Sequence, residues 1–144
     1  MKYSKVFSVL ALCLLLFNFQ CDEDEVIYSD CDALVIIDNT AYENSESANY
    51  SIVNYEIEDD CLNIEISSSG CDADTWQLSL IDSGSVAESF PPQRYLKLEL
   101  FNNEACLAVL TKSQSFDLSS LSIEGATEVV LNIEGFEESI NYTY

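Results

Sequence analysis

Histidine is absent from these 144 residues, and its absence closes off a large block of chemistry. Ser-His-Asp and Cys-His catalysis need an imidazole to move the proton, and the usual nitrogen ligand for metals is missing with it. Basic side chains are nearly as scarce, five Lys and Arg against 26 Asp and Glu. Lys2 and Lys5 precede every acidic residue, so from residue 21 onward three bases face 26 acids, a net charge of −23. Such a surface repels nucleic-acid phosphates, which are held by clustered Lys and Arg, and it repels anionic lipid headgroups as well. Partners are expected among cations, basic proteins and neutral ligands such as glycans. The simpler account of the charge is solubility alone. Gly70, Gly84, Gly125 and Gly135 are the only glycines and form no phosphate-cradling loop. No apolar run reaches the about 20 residues of a spanning helix.

What is there begins with Lys2, Lys5 and an apolar run from Val6 to Phe17. A run of about 10–14 residues has the length of an export-signal core. No small-residue cleavage site follows it. The run closes instead on Asn18-Phe19-Gln20-Cys21, then Asp22-Glu23-Asp24-Glu25. This pattern resembles the signal of bacterial lipoproteins, whose cysteine takes the fatty-acyl lipid after cleavage, although Gln20 stands where a small residue is usual. The acidic tetrad resembles the surface-export signal of Bacteroidetes lipoproteins. The resemblance implies a signal peptide over residues 1–20, a lipidated Cys21, an acidic tether over 21–29 and one domain over 30–144. It also implies an outer-membrane location, anchored by the lipid and exposed at the surface. The alternative is a soluble secreted protein in which Cys21 is an ordinary cysteine.

Six cysteines are present: Cys13, Cys21, Cys31, Cys61, Cys71 and Cys106. Setting aside Cys13 with the signal and Cys21 with the lipid leaves four, an even number that in an oxidising compartment points to two disulfides. Zinc is the competing use, but no C-x-x-C pair occurs. Three connectivities exist. Cys61–Cys71 is disfavoured, because a strand between them would hold its ends about 20 Å apart, whereas a disulfide needs roughly 4.4–6.8 Å between Cα atoms. Cys31–Cys61 and Cys71–Cys106 are the expected pairs, each cysteine standing at the approach to a strand.

Period-2 alternation dominates from there on. Leu62, Ile64 and Ile66, then Trp76, Leu78 and Leu80, then Leu96, Leu98 and Leu100, then Val129, Leu131 and Ile133 each alternate with polar or outward positions. This is the mark of half-buried antiparallel strands. Ala33 to Ile37, Tyr50 to Ile57, Cys106 to Thr111 and Ile140 to Tyr144 are further candidates. Turn signals lie at Asn39, Asn44 to Ser47, Glu58-Asp59-Asp60, Ser68-Ser69-Gly70 and Asn102-Asn103, and Gly135 to Ser139 reads as the loop of a C-terminal hairpin. Helical periodicity is weak and confined to Phe116 to Leu121. The expected fold is all-β: an antiparallel, immunoglobulin-like β-sandwich of about 7–8 strands, with a small β-barrel as the alternative. Asp82 to Arg94 is expected to be the longest connection, since Pro91-Pro92 cannot run through a central strand.

Several stretches resemble a group of small, functionally uncharacterised lipoproteins of flavobacteria and their relatives. They are Cys61-Leu62-Asn63-Ile64, Ser69-Gly70-Cys71, Glu88-Ser89 with Pro91-Pro92-Gln93, Ala105-Cys106-Leu107-Ala108, and Phe116-Asp117-Leu118-Ser119 with Leu121. Members often carry a second glycine before the cysteine and a histidine soon after it. This chain has Ser69 and no histidine, so no role for that residue carries over. The resemblance implies a localisation and a fold, not an activity.

Calcium is the one cofactor with candidate ligands. Glu58, Asp59 and Asp60 place three carboxylates in one turn, and Asp72 and Asp74 form an alternating pair beside a cysteine. Calcium takes six to eight oxygens from such loops, but the EF-hand pattern is missing, and solvated turn acids explain the same residues. Trp76, the only tryptophan, lies in phase with leucines and reads as core; facing solvent, it would be a sugar-stacking platform. Tyr142 and Tyr144 read as packing in phase with Ile140. The expected function is a non-enzymatic surface module that binds a protein or a glycan. One alternative is an inhibitor of a basic secreted enzyme such as a lysozyme, with Arg94 and Tyr95 as the contact. Another is a polysaccharide hydrolase working with two carboxylates.

Overall fold

The computed structural model describes residues 29–144. The expected signal, Cys21 and most of the expected tether lie outside them. The described residues hold nine strands: β1 (Ala33–Leu34), β2 (Ile36–Ile37), β3 (Ser51–Glu58), β4 (Cys61–Gly70), β5 (Gln77–Ala87), β6 (Gln93–Phe101), β7 (Ala108–Asp117), β8 (Glu128–Ile133) and β9 (Ile140–Thr143). They form a four-stranded sheet in the order β1-β7-β4-β3 and a five-stranded sheet in the order β2-β5-β6-β8-β9. The two sheets pack as a β-sandwich, and among the described residues no barrel closes.

Alternation builds the core as expected. Leu62, Ile64 and Ile66 of β4 face Leu78 and Leu80 of β5, Leu96, Leu98 and Leu100 of β6, and Val129, Leu131 and Ile133 of β8 across one cluster. Trp76, Phe116, Leu118, Leu121 and Tyr142 complete it. Trp76 is core, whereas Tyr144 is exposed and hydrogen-bonds through its hydroxyl to the Ile123 backbone.

Several features differ from the expectation. The sheets are mixed: β1 runs parallel to β7, β2 to β5, and β6 to β8. The first two pairings arise because the Ala33 to Ile37 segment changes sheets at buried Val35, so one expected strand becomes two edge strands. The Asp82 to Arg94 connection is much shorter than expected. After a bulge β5 resumes pairing, Val86 with Arg94 and Ala87 with Gln93, which leaves only Glu88 to Pro92 as loop. Both prolines stand outside the strands, and the Phe90–Pro91 bond is cis. Ser68-Ser69-Gly70 is not a turn, since β4 pairs with β7 through Gly70. A six-residue helix, α1 (Asn39–Asn44), occupies an expected turn region; Asp38 caps it by accepting from the Ala41 N–H at 3.0 Å. The weak helical signal near Phe116 to Leu121 is a single 3-10 turn, Ser119–Leu121.

Candidate functional site

The four expected disulfide cysteines pair as Cys31–Cys61 and Cys71–Cys106, with Cα separations of 5.6 and 5.1 Å. Cys61 opens β4 and Cys71 follows its end, so the two bridges brace opposite ends of one strand, about 30 Å apart. The same distance separates the two groups of candidate calcium ligands. Glu58, Asp59 and Asp60 form the β3–β4 turn, where Asp59 takes a φ of 53°, a conformation short polar side chains tolerate. Asp72 and Asp74 sit in the 3-10 turn Ala73–Thr75, where Asp72 Oδ1 accepts from the Asp74 N–H at 3.0 Å. Asp60 accepts from the Tyr142 hydroxyl at 2.5 Å, and burial and this contact together push the tyrosine upward in pKa. Among the described residues, no three metal-ligating side chains converge.

The turn acids Glu58, Asp59 and Asp60 line a hollow of about 500 Å³ with Asp30 and Asp117, beside the Cys31–Cys61 bridge. Desolvation works to raise Asp117, but hydrogen bonds from Ser119 and Ser29 outweigh it and hold the carboxyl below its ordinary value. A general acid needs the opposite shift. Asp32 is likewise held low, by the Ser115 hydroxyl and backbone N–H.

Arg94 is not the surface contact expected of it. It lies in phase with Leu96, Leu98 and Leu100 and points into the sandwich, where Nε and Nη2 reach the two oxygens of fully buried Asp82 at 3.0 and 2.9 Å. Burial leaves the guanidinium no room for a partner. Tyr95, one residue on, faces out and is exposed.

A constellation that sequence reading missed surrounds Glu104. Its Oε2 accepts from the N–H groups of Cys71 and Asp72 at 2.5 and 3.0 Å and from the Trp76 indole at 3.1 Å, while Oε1 accepts from the Thr75 hydroxyl at 2.9 Å. These bonds, the one from the Asp72 backbone first, lower its pKa to about 2. Gly70 is what admits them, for a Cβ there would stand 2.5 Å from Glu104 Oε2 and 2.7 Å from the indole. The available signal was the Cys71–Cys106 pairing, which carries Glu104 to the 3-10 turn. All donors are filled from within the chain, so the cluster is structural.

A groove of about 730 Å³ lies between residues 50–55 and residues 135–138. Tyr55 and Phe136 meet edge to face across it, with ring centroids 5.0 Å apart. Glu137 and Glu138 stand exposed on its rim, and none of its lining residues is basic.

No family model matches this sequence, and no curated protein matches it either. Solved structures do. One is a protein of unknown function, DUF1344, from Bacteroides vulgatus, with a TM-score of 0.54 and 16% identity over 78% of this chain and 56% of that one. Another, provisionally named a toxin-related protein, is from Parabacteroides distasonis, with a TM-score of 0.52 and 22% identity over 78% of this chain and 59% of that one. This chain thus matches little more than half the length of each. At such identities the likeness establishes the fold alone.

Proposed function

We propose that this chain is a lipoprotein of the bacterial outer membrane, anchored through Cys21 and exposed at the surface, whose β-sandwich binds a protein or glycan without catalysis. The observation that carries the binding reading is the groove beside β3, where half-buried aromatics and exposed carboxylates line one open hollow. Binding sites are concave and set polar groups among aromatic and aliphatic side chains, and this groove does so with a lining more polar than apolar. The anchor reading rests on the Val6 to Phe17 run, Cys21 and the acidic tetrad. Two disulfides fit an oxidising compartment. The inhibitor alternative loses the Arg94 contact, since that side chain is buried.

Cys21→Ala tests the anchor. The variant should lose labelling by a fatty-acid probe and leave the membrane fraction; equal labelling and fractionation would sink the lipoprotein reading. Protease treatment of intact cells should degrade the parent protein, and full protection would place it on the inner face. Tyr55→Ala, if it folds and still captures the same partner with the same affinity, removes the groove from the reading.

A further inference from the structure

β3 is the outermost strand of the four-stranded sheet, and no strand pairs with its far side among the described residues. Its eight residues present about 26 Å of backbone whose alternate N–H and C=O groups point outward. The other edges are treated differently. β1 and β2 cover parts of β7 and β5. Just ahead of β5, Lys112 donates to the Trp76 carbonyl and, at 3.2 Å, to that of Ala73, and along the uncovered part of β5 Gln114 donates to the Leu78 carbonyl at 3.2 Å. β9 has only four residues. The long edge of β3 instead opens on the groove already described.

Resting on the binding-module reading above, we infer that this edge takes up an extended basic segment of a partner protein, which adds a strand beside β3. Strand addition draws affinity from backbone hydrogen bonds and specificity from pockets for alternate side chains. Here Ile52, Tyr55 and Phe136 offer the apolar pockets, and Val53 is 51% exposed beside them. Glu137 and Glu138 select the charge of the occupant. Charge complementarity also argues against a second copy of this chain, because each copy brings −23 from residue 21 onward. The bulge between Ile52 and Asn54 interrupts the ladder, so backbone pairing is short and side chains must supply the rest.

The test uses the full chain purified in detergent and a fluorescent ten-residue peptide of alternating Lys and Val. Binding should protect the β3 amides from hydrogen exchange. N-methylation of alternate peptide residues, in whichever register meets the edge, should weaken binding at least tenfold. So should Glu137→Lys with Glu138→Lys in the protein, two exposed changes that leave the melting temperature in place. A Lys-Ser peptide of equal charge should bind at least tenfold more weakly. Equal binding of the Lys-Ser and Lys-Val peptides, or of the methylated and parent peptides, would reduce the effect to bulk charge and overturn the inference. No binding would overturn it as well, while Cys21 labelling and surface exposure, measured separately, would stand or fall on their own.

Discussion

Replacing Gly70 by alanine sets a methyl group against the most constrained corner of the fold. The new Cβ would lie 2.5 Å from Glu104 Oε2 and 2.7 and 2.9 Å from two atoms of the Trp76 ring. Ordinary contact needs roughly 3.5–4.0 Å, so each neighbour must retreat by about 1 Å. The ring cannot do so cheaply, being 2% exposed and packed within the core cluster. The carboxylate ends a flexible side chain, but four donors hold it in place. Overpacking of this kind costs about 1–3 kcal/mol. In a domain of this size that lowers the melting temperature by on the order of 5–15 °C. Trp76 is the only tryptophan, so its fluorescence reports both the unfolding midpoint and the change in its own surroundings. Adding Glu104→Ala should relieve part of the crowding, so the double variant should lose less than the sum of the single losses. A Gly70→Ala protein with the parent's stability and emission maximum would refute the packing described for this corner.

Glu104 also sets an acid limb. Its folded pKa of about 2 lies below the ordinary 4.5, so its contribution is fully present above pH 4.5 and is lost as pH falls toward 2. Melting curves across that window should fall more steeply for the parent than for Glu104→Gln, and parallel curves would dismiss the effect. Arg94→Met leaves the buried Asp82 carboxylate without its cation, held only by the Gly84 N–H, and should cost about 3–5 kcal/mol, whereas Arg94→Met with Asp82→Leu should recover most of it in denaturant titrations. Replacing Cys71 and Cys106 together by alanine frees a loop with a sequence separation of 35 and should cost about 4 kcal/mol in the chain-entropy account; a loss below about 1 kcal/mol would argue against it. Millimolar calcium should raise the melting temperature no more than magnesium at matched ionic strength, because Asp60 and Asp72 already accept bonds from Tyr142 and Asp74; a larger shift would restore the calcium reading.

The parts of the fold legible in the sequence are those governed by local period. Alternation in β4, β6 and β8 told which side chains enter the core, because a pleated strand half-buried in a sandwich has no other way to sort them. The same phase applied to Asp82 and Arg94 would have placed both inside, at positions matching Leu78, Leu80 and Leu96; charge argued for the surface, and pairing overrode it. α1 escaped because six residues cannot display a helical period, and only its Asp38 cap marks it. The parallel pairings of β1, β2 and β8 were hidden because which strands become neighbours is decided by long-range packing. The groove beside β3 depends on where the Gly135 to Ser139 loop settles, and no local pattern encodes that.

The segment from Cys31 to Ile37 has a mechanical consequence. Parallel pairing with β7 and then β5 pins it to both sheets, and its first residue is bridged to Cys61 at the head of β4. Tension arriving along the chain from the side of residue 30 therefore meets a covalent bond before it meets any ladder. The load passes into β4, which pairs with β7 along its whole length and with β3 from Cys61 to Ser67, and bypasses the two-residue strands that would otherwise peel away one bond at a time. With the bridge intact the sandwich resists pulling from that end by the shear strength of its central strand. With the bridge reduced, the same pull would undo β1 and β2 first and open the core at Val35.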